Sequence, residues 1–286
     1  CFSLLQPIFP NASFVALSGY EIRYSKKKWQ LPFRIALQLP KLFFAVLREQ
    51  NQLQQIVKEY DIQLVFSDNR YGLFHKNIKT IFITHQVNIQ IPQALILQKM
   101  ANHISHFFIR KFSECWVPDY ASPAMAGNLS LFHPSTHFPI TYIGNLSRMQ
   151  SVTLINRVQW DVLILLSGPE PQRTIFENIL CQQFAKSSLR VACVRGKPLD
   201  KNLSKVEDSS IQYFSHLPTE TMKQFLQQAS IVICRAGYSS IMDLIKINKH
   251  AILVPTPGQT EQEYLANYLQ QQKWFLQIDQ NQIHSI

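Results

Sequence analysis

Apolar residues along this chain alternate between two patterns. Short β-branched or aliphatic runs read as buried strands, and longer stretches with apolar positions three and four apart read as helices. Phe14-Val-Ala-Leu17 reads as a short strand. A helical pattern carrying Leu39, Leu42, Phe43, Leu47, Leu53 and Ile56 runs to about Tyr60, and Pro40 is expected to kink or split it. Strands are predicted at 61–66, 79–84 and 114–117, with a helix over 93–112. A break falls at 141–147, and the alternation then restarts. Strands follow at 161–166, 190–194, 211–214 and 251–255, with helices at about 174–184, 218–229 and 261–271. Such alternation predicts an α/β fold with parallel sheets covered on both faces, in two domains, 1–146 and 147–286.

The clearest unit lies between the third and fourth of those later strands. Ile231 to Ile233 form an apolar run that breaks at Arg235-Ala-Gly237. A helix pattern follows, with Ser239 or Ser240 placed to cap it and Ile241, Leu244 and Ile245 on one face. Strand, glycine turn and helix N-terminus together make an anion site, because backbone N–H groups point outward and the helix dipole favours negative charge. Asp243 sits about one turn into the helix, where a carboxylate accepts from sugar hydroxyls. The same stretch also fits an ordinary βα unit whose glycine serves only the turn.

Composition narrows the picture further. The chain has 286 residues, 46% of them hydrophobic and 16% charged, enough for a sizeable core. It contains no uninterrupted apolar run near the ~20 residues that a membrane-spanning helix needs. The five cysteines, Cys1, Cys115, Cys181, Cys193 and Cys234, lack metal-type spacing and read as reduced core thiols of a cytosolic protein. The chain opens at Cys1-Phe-Ser without Met, and a leading segment is expected before it.

The net charge of +10 is unevenly spread. Residues 1–148 carry 15 Lys and Arg against 7 Asp and Glu, a net of +8; residues 149–286 carry 13 against 11, a net of +2. In the first half Lys26, Lys27, Lys28, Trp29, Phe33 and Arg34 mix cations with large apolar groups. That mixture suits an anionic membrane surface or the acceptor bound there. It equally suits a solvated basic turn before a core helix. Lys interleaved with aromatics also stacks on bases, but nothing else in the chain matches a nucleic-acid module, so nucleic acid is not an expected partner.

The order strand–Arg235-Ala-Gly237…Asp243–helix–strand–Pro257-Gly-Gln-Thr-Glu-Gln-Glu-Tyr264–helix resembles the donor half of GT-B glycosyltransferases. The resemblance is closest to the family 28 type, which includes the lipid-intermediate N-acetylglucosaminyltransferase of peptidoglycan synthesis. Cys234-Arg-Ala-Gly237 and Asp243 keep the family's spacing, with Asp in place of the usual Glu, and Asn267 follows the family's Gln pair. The first half matches loosely, through Asp68-Asn-Arg-Tyr-Gly72, His85-Gln-Val-Asn88 and Gly144-Asn145.

The resemblance implies a GT-B-like fold of two Rossmann-like domains facing across a cleft, with the family's first strand and Gly-rich loop in the leading segment. It implies a sugar transferase using a nucleotide-sugar donor, UDP-linked in most relatives, and a lipid-linked or polysaccharide acceptor at the inner face of the plasma membrane. Neither a metal nor a cofactor is implied. Asp243 would bind the ribose, and Gly237, Tyr238 and Ser239 the diphosphate, with Ser167, Gly168 and Arg173 flanking it and Arg235 on the phosphate side or held by a structural carboxylate. Phe214, Ser215, His216 and Leu217 would border the base, and Gln259, Gln262 and Glu263 would face the sugar, where Glu263 departs from the family's second Gln. His85, ending a strand, is the candidate general base or else a hydrogen-bonded structural His. A nucleotide-sugar hydrolase of related fold and a non-catalytic donor-binding subunit needing a partner fit the same residues.

Overall fold

The computed structural model describes residues 5–6, 8–17, 31–91, 94–131, 138–149, 158–198 and 211–285, with backbone alone for 31–39, 42 and 284–285. Two parallel sheets form, one in each of two compact units. The first unit comprises Cys1–Ala121 with Asn128–Ile143, and the second comprises Ser122–Gly127 with Gly144–Ile286. Lys26 to Trp29 lie outside the described residues, as do the side chains of Phe33 and Arg34.

In the first unit α1 (Leu31–Tyr60) leads into β1 (Leu64–Asp68), β2 (Lys79–Ile83), α2 (Leu95–Ile109), β3 (Glu114–Val117) and β4 (Ile140–Tyr142). The strands run in the order β1-β2-β3-β4, all parallel. Phe82, Val87, Ile109, Phe112, Cys115 and Val117 form the buried cluster beneath them. Two expectations are corrected. Residues 14–17 form no strand, and Phe14 and Val15 are exposed. Of the kink or split expected at Pro40, the split does not occur: α1 runs on through it as one helix. β4 lies in the stretch that read as a break, since three half-exposed residues give no apolar run.

A buried carboxylate ties α1 to the loop after β1. Glu49 is fully buried, pairs with Arg70, and accepts the Gly72 N–H at 3.0 Å. A Cβ on Gly72 would stand 2.6 Å from Glu49 Oε2 and 2.6 Å from the Val46 carbonyl. Gly72→Ala is therefore expected to cost about 2–3 kcal/mol, the range for overpacking a tight contact. The check is a thermal melt of the first unit; an unchanged midpoint would contradict the contact.

The second unit places β5 (Trp160–Leu165), α3 (Gln172–Phe184), β6 (Val191–Val194), β7 (Ile211–Phe214), α4 (Thr219–Gln228), β8 (Ala229–Cys234), α5 (Tyr238–Lys246), β9 (Ile252–Leu253), α6 (Thr260–Gln271) and β10 (Leu276–Gln277). The sheet order is β10-β9-β8-β5-β6-β7 with every described pairing parallel. β5 is central and nearly continuously buried, as a parallel strand covered on both faces should be. Val162, Ile164, Phe176, Leu180, Val191 and Ile233 belong to its core. Strand order reverses between β5 and β8, and open α/β sheets bind ligands outside the carboxyl ends of strands at such a switch point. Ser122–Gly127 joins this unit through the Tyr268 hydroxyl, which donates to the Ala124 carbonyl at 2.8 Å. Cys115, Cys193 and Cys234 are buried thiols and Cys181 a half-buried one, all unbridged.

Candidate functional site

Register places two loops side by side at the switch point. Leu165 pairs with Cys234, so the turn at Ser167-Gly168 lies beside the turn at Arg235-Ala-Gly237. Gly168 is exposed with φ +97°, a left-handed conformation that favours glycine, and no atom lies within 4 Å of where its Cβ would stand. Gly237 is the N-cap of α5, and the space beside it is likewise open. Ser239 and Ser240 are not the cap: no side chain caps this helix, and both serines lie within its first turn. The first helical bond runs from Ile241 N–H to the Gly237 carbonyl at 3.0 Å, so earlier N–H groups have no acceptor within the helix. Tyr238 is buried, while Ser239 is exposed.

One turn on, Asp243 is 8% exposed. Ser147 Oγ donates to its Oδ1 at 2.6 Å and Arg148 Nε donates to its Oδ2 at 3.0 Å. Asn145 Nδ2 donates to the Met242 carbonyl at 3.1 Å, and Met149 N–H to Ser147 Oγ at 3.0 Å, which lays Gly144–Met149 along α5. Leu146, Ser147, Arg148, Ser239, Ser240 and Asp243 line a depression of about 510 Å³. It combines an anchored carboxylate, a half-exposed guanidinium, three serine hydroxyls and a helix N-terminus. An anion and a hydroxyl-bearing group find partners there side by side.

The sequence pattern marks none of Leu146, Ser147 and Arg148, which follow Gly144-Asn145 in an aperiodic linker, and it offers Ser240 only as a candidate helix cap.

Two arginines expected at the diphosphate are turned inward instead. Arg235 is 1% exposed and is a scaffold group. Its guanidinium donates to the carbonyls of Val254 (3.3 Å), Pro255 (3.2 Å) and Gln172 (3.2 Å) and to Gln280 Oε1 (2.7 Å), and stacks 3.9 Å from the Phe176 ring centroid. No carboxylate among the described residues pairs with it; burial lowers its pKa to about 10, so it stays a cation at neutral pH. Arg173 is buried and neutralised by Glu170 and Glu177, the latter at 2.8 Å, and Glu177 also takes Arg195 Nε at 2.5 Å. Two carboxylates compensate its charge. Arg173→Ala is expected to cost about 3 kcal/mol, as losing one partner of a buried pair does. Calorimetric unfolding checks it, and a change under about 1 kcal/mol would contradict the pairing.

The other predicted residues do not line the depression. Phe214 packs edge-on against Phe225 (5.0 Å) and Trp160 (6.4 Å). Ser215 and exposed His216 follow it at the end of β7, with Leu217 buried, two strands from β5. Ser215 Oγ is buried and has no hydrogen-bond partner among the described residues. Gln259 is the N-cap of α6; Gln262 Oε1 accepts the Thr256 N–H at 2.9 Å and Glu263 Oε1 the Gly258 N–H at 3.0 Å. Gln262 and Glu263 thus each spend an oxygen bracing the loop after β9. His85 is half-buried in the first unit, directly after β2 and Thr84. Among the described residues no cluster of three His, Cys, Asp or Glu is placed to hold a metal ion. No helix there is long and apolar enough to cross a membrane.

Residues 162–286 match the family model of the glycosyltransferase family 28 C-terminal domain. No curated protein matches the chain significantly. Among solved structures the chain is similar to the glycotransferase of kitacinnamycin, with TM-score 0.62 and 12% identity over 99% of this chain and 80% of that one. It is similar to MurG of Acinetobacter baumannii, with TM-score 0.50 and 12% identity over 98% and 75%. A third is the spinosyn rhamnosyltransferase SpnG complexed with thymidine diphosphate, with TM-score 0.54 and 10% identity over 86% and 69%. At these identities the likeness shows the fold, which is that of GT-B glycosyltransferases.

Proposed function

With residues 162–286 a glycosyltransferase family 28 C-terminal domain on a GT-B fold, we propose that the protein moves a sugar from a nucleoside-diphosphate donor to a lipid-linked or polysaccharide acceptor of the cell envelope. The carrying observation is the depression that joins Asp243, Arg148 and the α5 N-terminus. The remaining acceptor sites of the Asp243 carboxylate take a hydroxyl of the nucleoside sugar. The first-turn N–H groups of α5, with the Ser239 and Ser240 hydroxyls and the outer nitrogens of Arg148, take the diphosphate.

In the transfer an acceptor oxygen attacks the anomeric carbon while the bond from that carbon to the diphosphate oxygen breaks. Negative charge grows on the leaving diphosphate, and donors fixed in advance stabilise it without a metal. The acceptor hydroxyl gives up its proton to a base, for which His85 is the candidate in the first unit. Uracil is the base of the family 28 resemblance, and the thymidine diphosphate bound by SpnG makes thymine the second candidate. The inner face of the plasma membrane is where such an acceptor is met.

The test is to incubate the protein with radiolabelled UDP- and TDP-sugars, with and without a membrane lipid extract. Label appearing in lipid or polymer supports transfer. Free sugar released equally without acceptor would show a hydrolase, and nucleotide binding with neither product a donor-binding subunit.

A further inference from the structure

α2 is an inverted amphipathic helix. Gln98, Asn102, Ser105 and His106 turn toward the interior of the first unit. Gln98 Oε1 accepts the Ile91 N–H at 2.8 Å, Asn102 Oδ1 accepts the Ile89 N–H at 2.6 Å, and the Ser105 and Tyr71 hydroxyls meet at 3.0 Å. His106 Nε2 lies 3.0 Å from the Val87 carbonyl, and burial lowers the pKa of its imidazole. Most of its apolar side chains point the other way, although Ile109 is buried in the core and Phe108 is half-buried against Tyr71. Leu95 is 67% exposed, Ile96 77%, Met100 55% and Phe107 55%, with Ile104 exposed between them.

Ile96, Met100, Ile104 and Phe107 are spaced four, four and three apart, which puts them on one stripe about 17 Å long. A water-facing stripe of this size on a folded domain marks a binding surface. The groups around it are basic. Lys99, His103, Arg110 and Lys111 are exposed, and Lys111 Nζ lies 4.6 Å from the Phe107 ring centroid. No Asp or Glu occurs between Asp68 and Glu114.

We propose that α2 docks on an anionic phospholipid bilayer and lies in the plane of its interface. Protruding aliphatic and Phe side chains enter the acyl boundary, while the cations reach phosphate headgroups by extending along the surface. The rim decides between a bilayer and a protein partner. Every charge on α2 and its C-terminal flank is positive, which matches a uniformly anionic surface. This contact differs from the basic segment at 26–34 and does not depend on the identity of the sugar donor.

Vesicle flotation of the full chain tests it, with phosphatidylglycerol–phosphatidylcholine vesicles against pure phosphatidylcholine. The expected result is flotation with the anionic vesicles that weakens with added salt and is much reduced on neutral ones. Ile96→Gln, Met100→Gln, Ile104→Gln and Phe107→Gln combined should lower partitioning at least about tenfold. Lys99→Gln with Lys111→Gln should lower it about tenfold on anionic vesicles only. All of these positions are exposed, so the thermal midpoint and the nucleotide affinity should stay as in the unaltered chain, which separates this test from the donor reading. Unchanged flotation in the four-residue variant overturns the proposal, as does an unaltered chain that does not float. So does a dimer in solution that the same variant converts to monomer, since the stripe would then be covered by a second copy.

Discussion

Asp243→Ala lowers the affinity for UDP or TDP about 10- to 100-fold while leaving the melting temperature nearly unchanged. The first half follows from what the carboxylate offers: hydrogen bonds to an ionised acceptor are worth about 1.5–3 kcal/mol each, and a nucleoside sugar makes one or two. The second half follows from its present partners. Ser147 and Arg148 hold both carboxylate oxygens, but Arg148 is half-exposed and returns to water when the carboxylate is gone. The stability change is therefore expected to be below about 1 kcal/mol. Asp243→Asn keeps one acceptor and should fall between the parent and the alanine variant. Isothermal titration checks all three. Equal affinities would mean that Asp243 serves only to pin the linker, and the ribose assignment would fall.

Arg235→Met gives the opposite pair of results: a large loss of stability with nucleotide affinity intact. The substitution strips hydrogen bonds from the carbonyls of Val254, Pro255 and Gln172 and removes the cation over Phe176. Buried acceptors left without donors cost about 1–3 kcal/mol each, and partial relaxation brings the whole to about 3–5 kcal/mol. For a chain of this size that is a fall of about 10 °C in midpoint. Binding measured well below the new midpoint should agree with the parent within about twofold. A tenfold loss of affinity at unchanged midpoint would return Arg235 to the phosphate.

These two residues show how far the sequence could be read. Most strands of the second unit were legible because parallel, two-sided strands such as Val191–Val194 are continuous apolar runs, whereas β10 is two residues long and gives no such run. The glycine turn and α5 were legible for a local reason: the run stops at Cys234 and helical spacing resumes within a few residues. Arg235 was not legible as a scaffold cation, because its partners lie 19, 20, 45 and 63 positions away and three of them are backbone carbonyls. Arg148 meets Asp243 across 95 positions from within an unpatterned linker. α2 was placed correctly as a helix, but its apolar spacing gives no sign of which side faces the core. The buried polar bonds of Gln98, Asn102 and Ser105 settle that.

The electrostatics of the second unit divide along the same line. Arg173, Glu170, Glu177 and Arg195 neutralise one another beneath the Gly168 loop, and Arg235 is consumed by carbonyls. Among the cations described around the switch point, Arg148 keeps its guanidinium half-exposed within the depression. An anion bound there would rely on Arg148 and on backbone N–H groups at the α5 N-terminus. Its affinity should therefore be only modestly sensitive to salt, because few mobile side-chain charges are involved.

The most direct test of the donor pocket is a crystal of the protein soaked with uridine or thymidine diphosphate. The predicted density places a phosphate over the N–H groups of Tyr238, Ser239 and Ser240 and a sugar hydroxyl on Asp243, with Arg148 alongside. A nucleotide bound away from α5, or one at α5 whose sugar leaves Asp243 paired only with Ser147 and Arg148, would contradict it.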